Sequence, residues 1–277
     1  MTKAYSFFIF LLCMLLAHAE SNKHQATGVT LELVSELSTI APDESFTLGL
    51  KLDLDDDFHT YWKNPGIVGL PVSIDWTLPD GFTAGEIQWP VPERIKMSIH
   101  PAHGFKRNVT LLIPITSPAD FPDSSAKFTA KVTWMACADG CYPGQEKLSL
   151  TLPVAKESKI DLNNKTIFAK AQNDIPKETP EWTYQAERHT QEKTISLIIK
   201  SSPFVEAPEE LYFFSYNGLI SSDQPQALEI DENGALTLTM TLSEYAPSNA
   251  SELNGVLAWK TAGSTSLENF WLSCSLQ

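Results

Sequence analysis

Two cysteines separated by three residues are the side chains of this sequence best suited to chemistry. Cys137 and Cys141 flank Ala138-Asp139-Gly140, and alternating apolar and polar residues lead into Cys137. A three-residue hairpin loop favours glycine at its left-handed position, so we expect Gly140 to take that conformation. The two cysteines would then face each other across neighbouring strands, where Cβ atoms lie about 4.5–5.5 Å apart. A small adjustment of the loop would close a disulfide.

Such a disulfide would enclose a very small loop. In the chain-entropy description a small loop gives little stabilisation. At a hairpin tip the bond is also within reach of a partner's thiolate, and exposure is typical of labile disulfides. The spacing alone favours an exchange role and a purely structural role about equally. A further cysteine, Cys274, follows an apolar run near the end of the chain, and we expect it to be a buried strand thiol.

A metal site is another interpretation of the same residues. The cysteine pair supplies two soft ligands, whereas a structural zinc site needs four. His100, His103 and Met97 are the candidate further ligands, and such a set would suit copper(I). Because these residues are scattered along the chain, we predict neither a metal ion nor an organic cofactor.

The first residues of the chain predict export. Lys3 precedes an apolar run over residues 7–16, and Ala17-His18-Ala19 has the A-x-A pattern of a signal-peptidase site. The run is shorter than the roughly 20 apolar residues that a membrane helix needs. We therefore predict a signal peptide at residues 1–19 and no membrane span in the rest. Export would place the remaining cysteines where disulfides persist.

The charge of the chain limits its partners. The formal net charge is −14 at pH 7 and the sequence pI is about 4.8. Binding to nucleic acid requires a basic surface, so we predict no nucleic-acid partner. The same charge argues against binding to anionic lipid.

Short β-strands are the predicted elements that position the cysteine pair. Apolar and polar residues alternate over residues 30–37 and 46–52, and turns rich in proline, glycine and aspartate follow. This pattern is typical of an antiparallel sandwich or barrel. Further strands are predicted at 72–78, 109–115, 128–136 and 147–154.

The pattern changes near residue 160. Residues 166–172 suit a short helix, and Pro176 and Pro180 indicate a linker because proline ends helices. Alternation resumes later in the chain. We therefore predict an all-β protein with two β-sandwich domains. The predicted divisions are a first sandwich at 20–160, a helical linker at 161–180 and a second sandwich at 181–277, with strands at 195–199, 211–216 and 236–242.

Several sequence blocks together resemble a known family. They are residues 58–66, 69–71, 87–94, 134–144 and 168–171, which include His59-Thr60-Tyr61-Trp62 and Trp134-Met135-Ala136-Cys137. The first domain resembles the N-terminal periplasmic domain of the DsbD-type thiol:disulfide interchange proteins, and in particular the ScsB-like branch. The resemblance implies immunoglobulin-like folds and a periplasmic location. It also implies thiol–disulfide exchange, an electron transfer with thioredoxin-like or disulfide-carrying partners.

The resemblance also assigns roles to residues. It implies that Cys141 forms the mixed disulfide with the partner and that Cys137 resolves it. A cap loop shields the pair in the family, and its counterpart would include His103, Gly104 and Phe105, with Phe105 as a lid. Family members continue into a membrane domain and a thioredoxin domain, which do not follow here before Gln277. We therefore expect a separate membrane electron donor.

Two other functions remain open at this point. One is a copper or heavy-metal tolerance protein that binds metal through cysteine and histidine. The other is a non-catalytic interaction module in which the disulfide is structural.

Overall fold

The computed structural model describes residues 21–178, 182–200, 208–247, 249–261, 263 and 267–277. The predicted signal peptide and Pro180 lie outside these residues. Apart from one helix, the regular structure of the described residues consists of strands, so the predicted all-β class is confirmed. The packed antiparallel sheets are compatible with immunoglobulin-like sandwiches. Within the described part of the chain, no helix has the length and apolar character that a membrane crossing requires.

The first half of the chain forms most of the strands. In chain order the elements are β1 (Lys23–Ala26), β2 (Val29–Ser35), β3 (Leu37–Thr39), β4 (Ser45–Leu54), β5 (Thr60–Gly66), β6 (Ser73–Thr77), β7 (Thr83–Ala84), β8 (Glu93–Met97), β9 (His100–Phe105), β10 (Val109–Thr116), β11 (Ser125–Cys137), β12 (Cys141–Pro153), β13 (Lys159–Ile160) and α1 (Lys165–Asp174).

The second half continues with shorter strands. They are β14 (Lys177–Glu178), β15 (Tyr184–His189), β16 (Thr194–Ile199), β17 (Glu210–Ser215), β18 (Ala227–Ile230), β19 (Leu236–Thr241), β20 (Glu252–Lys260) and β21 (Glu268–Ser275).

Two sheets enclose the main core of the first half. A five-stranded sheet has the order β1-β2-β4-β10-β7, and a three-stranded sheet has the order β12-β11-β6. Side chains alternate between the two faces of β2, β4 and β11, and one face of each strand points inward. Leu31, Leu50, Phe128 and Val132 are therefore fully buried in one apolar cluster. Burial of such side chains contributes about 1.5–3 kcal/mol each.

A small third sheet, β5-β9-β8, carries the segment next to the cysteine pair. We call it the plate. Its strands are antiparallel, with Thr60 paired to Phe105 and Ile95 paired to Ala102. An isolated bridge joins His59, just before β5, to Cys137 at the end of β11. The plate is thereby attached to the hairpin that holds the cysteines.

The single described helix is α1, where a helix is predicted at 166–172. Its buried residues Phe168 and Ala171 pack on Val34 and Leu112 of the five-stranded sheet. The helix ends before Ile175-Pro176, as expected for a proline that cannot continue a helix.

The second half contains two four-stranded sheets, β14-β21-β20-β17 and β15-β16-β19-β18. We call them together the C-terminal sheets. Leu197, Phe213, Leu238 and Leu257 are fully or almost fully buried between them. Other residues of the C-terminal sheets, including Phe214, join the main core of the first half. The predicted domain divisions at 160 and 180 stay a prediction.

Candidate functional site

The cysteine pair lies at the end of a long antiparallel hairpin. Strands β11 and β12 pair in register from Ser125–Pro153 to Cys137–Cys141, which is the last pair before the loop. The Cα atoms of Cys137 and Cys141 are 4.2 Å apart, and their sulfurs form a disulfide. The hairpin predicted from the three-residue spacing therefore forms, and it brings the sulfurs together.

The conformation expected of Gly140 is wrong. Gly140 is not among the described residues with positive φ. The loop is closed instead by a backbone hydrogen bond, in which Ala138 N–H donates to the Gly140 carbonyl at 2.9 Å. This hydrogen bond lies within the loop, and the chain turns there without a left-handed glycine.

The two cysteines differ sharply in exposure. Cys137 is completely buried, with a relative accessibility of 0%, whereas Cys141 is exposed. Cys137 belongs to an apolar cluster with Tyr61, Ile95 and Ala102 of the plate. Cys141 therefore lies at the surface of the hairpin, whereas the plate covers Cys137.

Hydrogen bonds fix the surroundings of Cys137. The backbone N–H and carbonyl of Cys137 pair with those of His59 at 2.9 Å each. The Tyr61 hydroxyl donates to Cys137 Sγ at 3.2 Å. Because that hydroxyl has one proton, His59 Nε2, at 3.3 Å from Tyr61 Oη, must donate to it. Residues His59, Tyr61 and Cys137 thus form a buried chain of hydrogen bonds that ends on sulfur.

Burial keeps this chain neutral. Burial lowers the pKa of His59, and the charge of Lys106 lowers it further. Burial also raises the pKa of Tyr61. Tyr61 therefore stays protonated and can donate to sulfur. A donor aimed at Cys137 would stabilise a thiolate there, because hydrogen bonds to the charged form of an acid favour that form.

This chain of hydrogen bonds is the part of the site that the sequence did not reveal. Tyr61 is an aromatic residue that can pack near the cysteine pair, and both Tyr61 and His59 lie in one of the blocks that carry the family resemblance. Their contact with Cys137 depends on the bridge between β11 and the start of β5, two segments far apart in sequence.

The predicted cap loop around residues 103–105 is not a loop. His103, Gly104 and Phe105 lie within strand β9, and all three are buried. Gly104 has no room for a side chain, since a Cβ there would lie 2.0 Å from the Thr60 carbonyl oxygen. Phe105 packs in the main core. The segments that do cover Cys137 are β8 and β9, through Ile95 and Ala102.

Of the candidate metal ligands, Met97 packs against the cluster that contains Cys137, whereas His103 makes its hydrogen bonds with Asn64 and Tyr212. Both ring nitrogens of His103 are engaged, Nδ1 with the Asn64 carbonyl at 3.2 Å and Nε2 with the Tyr212 hydroxyl at 3.0 Å. His100 is exposed near the turn between β8 and β9. Among the residues that the structure describes, no three histidine, cysteine or acidic side chains converge in a way that could hold a metal ion.

The fold and the site together define a β-sandwich domain with a disulfide at the loop end of a hairpin, in which one cysteine is exposed and the other is covered. Residues 30–153 match the family model described as "Thiol:disulfide interchange protein DsbD, N-terminal". This stretch includes both cysteines, Tyr61 and the plate. The chain therefore carries a DsbD-type N-terminal domain.

The solved structures extend the likeness to the rest of the chain. The N-terminal periplasmic domain of ScsB from Proteus mirabilis aligns with a TM-score of 0.61 and 12% identity, covering 93% of this chain and 98% of that one. At this identity the likeness is one of fold. A protein of unknown function from Porphyromonas gingivalis W83 gives a TM-score of only 0.23 with 10% identity, over 89% of this chain and 99% of that one, which is too low to indicate a shared fold. No curated protein sequence matches the chain.

Proposed function

We propose that this protein exchanges disulfides with partner proteins through Cys137 and Cys141. The observation that carries the proposal is the difference between the two sulfurs. Cys141 is exposed, and Cys137 is buried beneath the hydroxyl of Tyr61. This arrangement provides one sulfur for the partner and one for the return step.

The reaction of the oxidised protein begins at Cys141. A partner thiolate attacks Cys141 Sγ, a bond forms between the two proteins, and the bond between Cys141 and Cys137 breaks. The electron pair leaves on Cys137 as a thiolate, which accepts the hydrogen bond from Tyr61. A second thiolate on the partner then attacks its own sulfur in the mixed disulfide. The partner leaves oxidised, and both cysteines are reduced.

The reaction of the reduced protein is the reverse. The Cys141 thiolate attacks a partner disulfide, and one partner sulfur leaves as a thiolate. Cys137, deprotonated next to Tyr61, then attacks Cys141 Sγ and releases the second partner sulfur. Two electrons move to the partner in each cycle, and the Cys137–Cys141 bond is restored.

The proposed partners are thioredoxin-like or disulfide-carrying proteins of the periplasm. Two findings support this proposal. The family match is to a thiol:disulfide interchange protein. The structurally similar ScsB domain is described as periplasmic. The acidic net charge of −14 is consistent with partners other than nucleic acid.

Serine substitutions test the assignment of the two sulfurs. The reduced Cys137→Ser variant, mixed with an oxidised thioredoxin-fold protein, should accumulate a mixed disulfide at Cys141 because the resolving thiol is missing. Cys141→Ser should form none, and Cys274→Ser should behave like the parent protein. Non-reducing electrophoresis with peptide mass spectrometry measures all three. The proposal fails if Cys137→Ser accumulates no mixed species.

The reduction potential separates exchange from a structural role. An exchange-active pair should equilibrate with glutathione buffers, whereas structural disulfides have potentials below about −300 mV. A potential below that value would assign the bond to stability alone.

A further inference from the structure

The plate lies between the disulfide and the C-terminal sheets. Consecutive residues on its strands point to opposite faces, as in any β-sheet. Tyr61, Ile95 and Ala102 face Cys137. Their direct neighbours Trp62, Arg94 and His103 contact aromatic residues of the C-terminal sheets, namely Tyr212, Phe214 and Tyr216. One layer of backbone therefore separates the two sides.

Polar contacts attach the plate to the C-terminal sheets. Lys63 Nζ donates to the Tyr216 hydroxyl at 2.8 Å and also lies 4.0 Å from the centre of that ring. Asn64 donates through its side-chain amide to the Ser215 carbonyl. The backbone N–H of Ile67 donates to Ser222 Oγ at 3.1 Å. These contacts attach Lys63 and Asn64 of β5, and Ile67 just after it, to the C-terminal half of the chain.

His103 provides the most buried of these attachments. Its Nδ1 lies 3.2 Å from the Asn64 carbonyl, which can only accept, so Nδ1 carries the proton. Its Nε2 must then accept the proton of the Tyr212 hydroxyl, 3.0 Å away. His103 is 2% exposed. Loss of the Tyr212 hydroxyl would leave a buried acceptor without a donor, which favours states in which the plate has separated.

We propose that the C-terminal sheets act as a brace that holds the plate closed over Cys137, with Tyr212 as the main positioning residue. The inference deepens the proposed exchange function and rests on it, since a shield has a role only for a disulfide that reacts. The brace directs incoming thiolates to Cys141 by keeping Cys137 covered. It does so from the face of the plate opposite the disulfide.

Thiol labelling tests the brace. In the Cys141→Ser variant, Cys137 is a free thiol whose alkylation by iodoacetamide requires the plate to open. Adding Tyr212→Phe should accelerate the alkylation of Cys137 about fivefold, the effect on a local opening equilibrium of losing one hydrogen bond. Ser222→Ala, which removes the contact with Ile67, should act in the same direction with a smaller effect.

Two controls distinguish a brace from general loosening. Tyr184→Phe removes another hydroxyl of the C-terminal sheets, one that donates to the Ser273 carbonyl far along the sequence from the plate contacts, and it should leave the rate at Cys137 unchanged. Cys274 is a half-buried thiol of β21 in the same molecule. Its alkylation, measured in the same digest, should not change in Tyr212→Phe.

The outcomes are decisive in both directions. Faster alkylation of Cys137, with the alkylation rate of Cys274 unchanged, supports the brace. The brace is overturned if the alkylation rate of Cys137 is unchanged in both Tyr212→Phe and Ser222→Ala. It is also overturned if the alkylation rates of Cys137 and Cys274 rise in parallel. The labelling does not depend on exchange with any partner. The labelling can therefore contradict the brace while Cys137→Ser still traps mixed disulfides. It can equally support the brace while Cys137→Ser traps none, so the two proposals fail separately.

Discussion

Two histidine–tyrosine pairs lie on opposite faces of the plate, and they differ in the groups on which their hydrogen bonds end. His59 and Tyr61 are on the disulfide face, and their chain ends on Cys137 Sγ. His103 and Tyr212 are on the other face, and their chain ends on the Asn64 carbonyl. Sulfur changes its charge during thiol–disulfide exchange, whereas a backbone carbonyl does not.

This difference separates two uses of the same pair of residue types. In the His59 pair the proton of Tyr61 is available to a group that gains negative charge. In the His103 pair every polar atom of the ring has a fixed partner, and the pair holds two parts of the fold together. We expect changes at His103 to affect stability and changes at Tyr61 to affect sulfur chemistry.

The largest expected effect is the pH dependence of stability at His103. Burial lowers the pKa of His103 to about 4, from the usual value of 6.5. Between pH 4 and pH 6.5, His103 therefore binds a proton in the unfolded chain but not in the folded protein. The stabilisation is therefore complete above pH 6.5, decreases as the pH falls, and levels off below about pH 4. The full difference is about 3 kcal/mol, measurable by urea unfolding across this range.

A variant isolates the contribution of His103 from other groups. His103→Gln keeps a polar side chain but cannot titrate, so its stability should depend much less on pH between 6.5 and 4. A weaker dependence of the same sign should remain, because burial also lowers the pKa of His59. If the free energy of unfolding of His103→Gln changes with pH as steeply as that of the parent protein, His103 is not the group responsible.

A smaller effect, confined to sulfur chemistry, is expected for Tyr61→Phe. Loss of the hydroxyl removes the donor to Cys137 Sγ, so the thiolate population of Cys137 at a given pH should fall about tenfold, the effect of losing one hydrogen bond to a charged group. Thiolate absorbance in the Cys141→Ser background measures it. Tyr142→Phe is the matched control, because Tyr142 is exposed and lies next to Cys141 instead of over Cys137. Equal thiolate absorbance of Cys137 in Tyr61→Phe and Tyr142→Phe would rule out a stabilising hydrogen bond from Tyr61 to the thiolate.

The smallest effect is expected for Lys106→Gln. The charge of Lys106 contributes to the lowered pKa of His59. Its removal should raise that pKa only slightly, since Lys106 is exposed and its charge is screened by solvent. NMR titration of the histidine ring protons would measure it. Arg107→Gln should have less effect, because Arg107 is paired with Glu93. A downward shift in Lys106→Gln would show that another charge controls His59.

Alternation of apolar and polar residues helped to predict several strands. It is complete over residues 46–52 and predominates over 30–37 and 128–136, and these ranges coincide largely with β4, β2 and β11. The plate strands were not predicted. Pro65 in β5 and Pro101 and Gly104 in β9 are residues typical of turns, and they interrupt the alternation. Pro65 fits because β5 is an edge strand whose register shifts between Tyr61 and Gly66.

By itself, the sequence determined that Cys137 and Cys141 are partners. Three residues between two cysteines at the end of alternating strands leave a hairpin as the simple local solution, and pairing across a hairpin is a local property. Only the tertiary structure decided which sulfur is exposed. Burial of Cys137 depends on β5, β8 and β9, which come from distant parts of the chain. Contacts at such sequence separations are set by packing of the whole fold, and no local pattern encodes them.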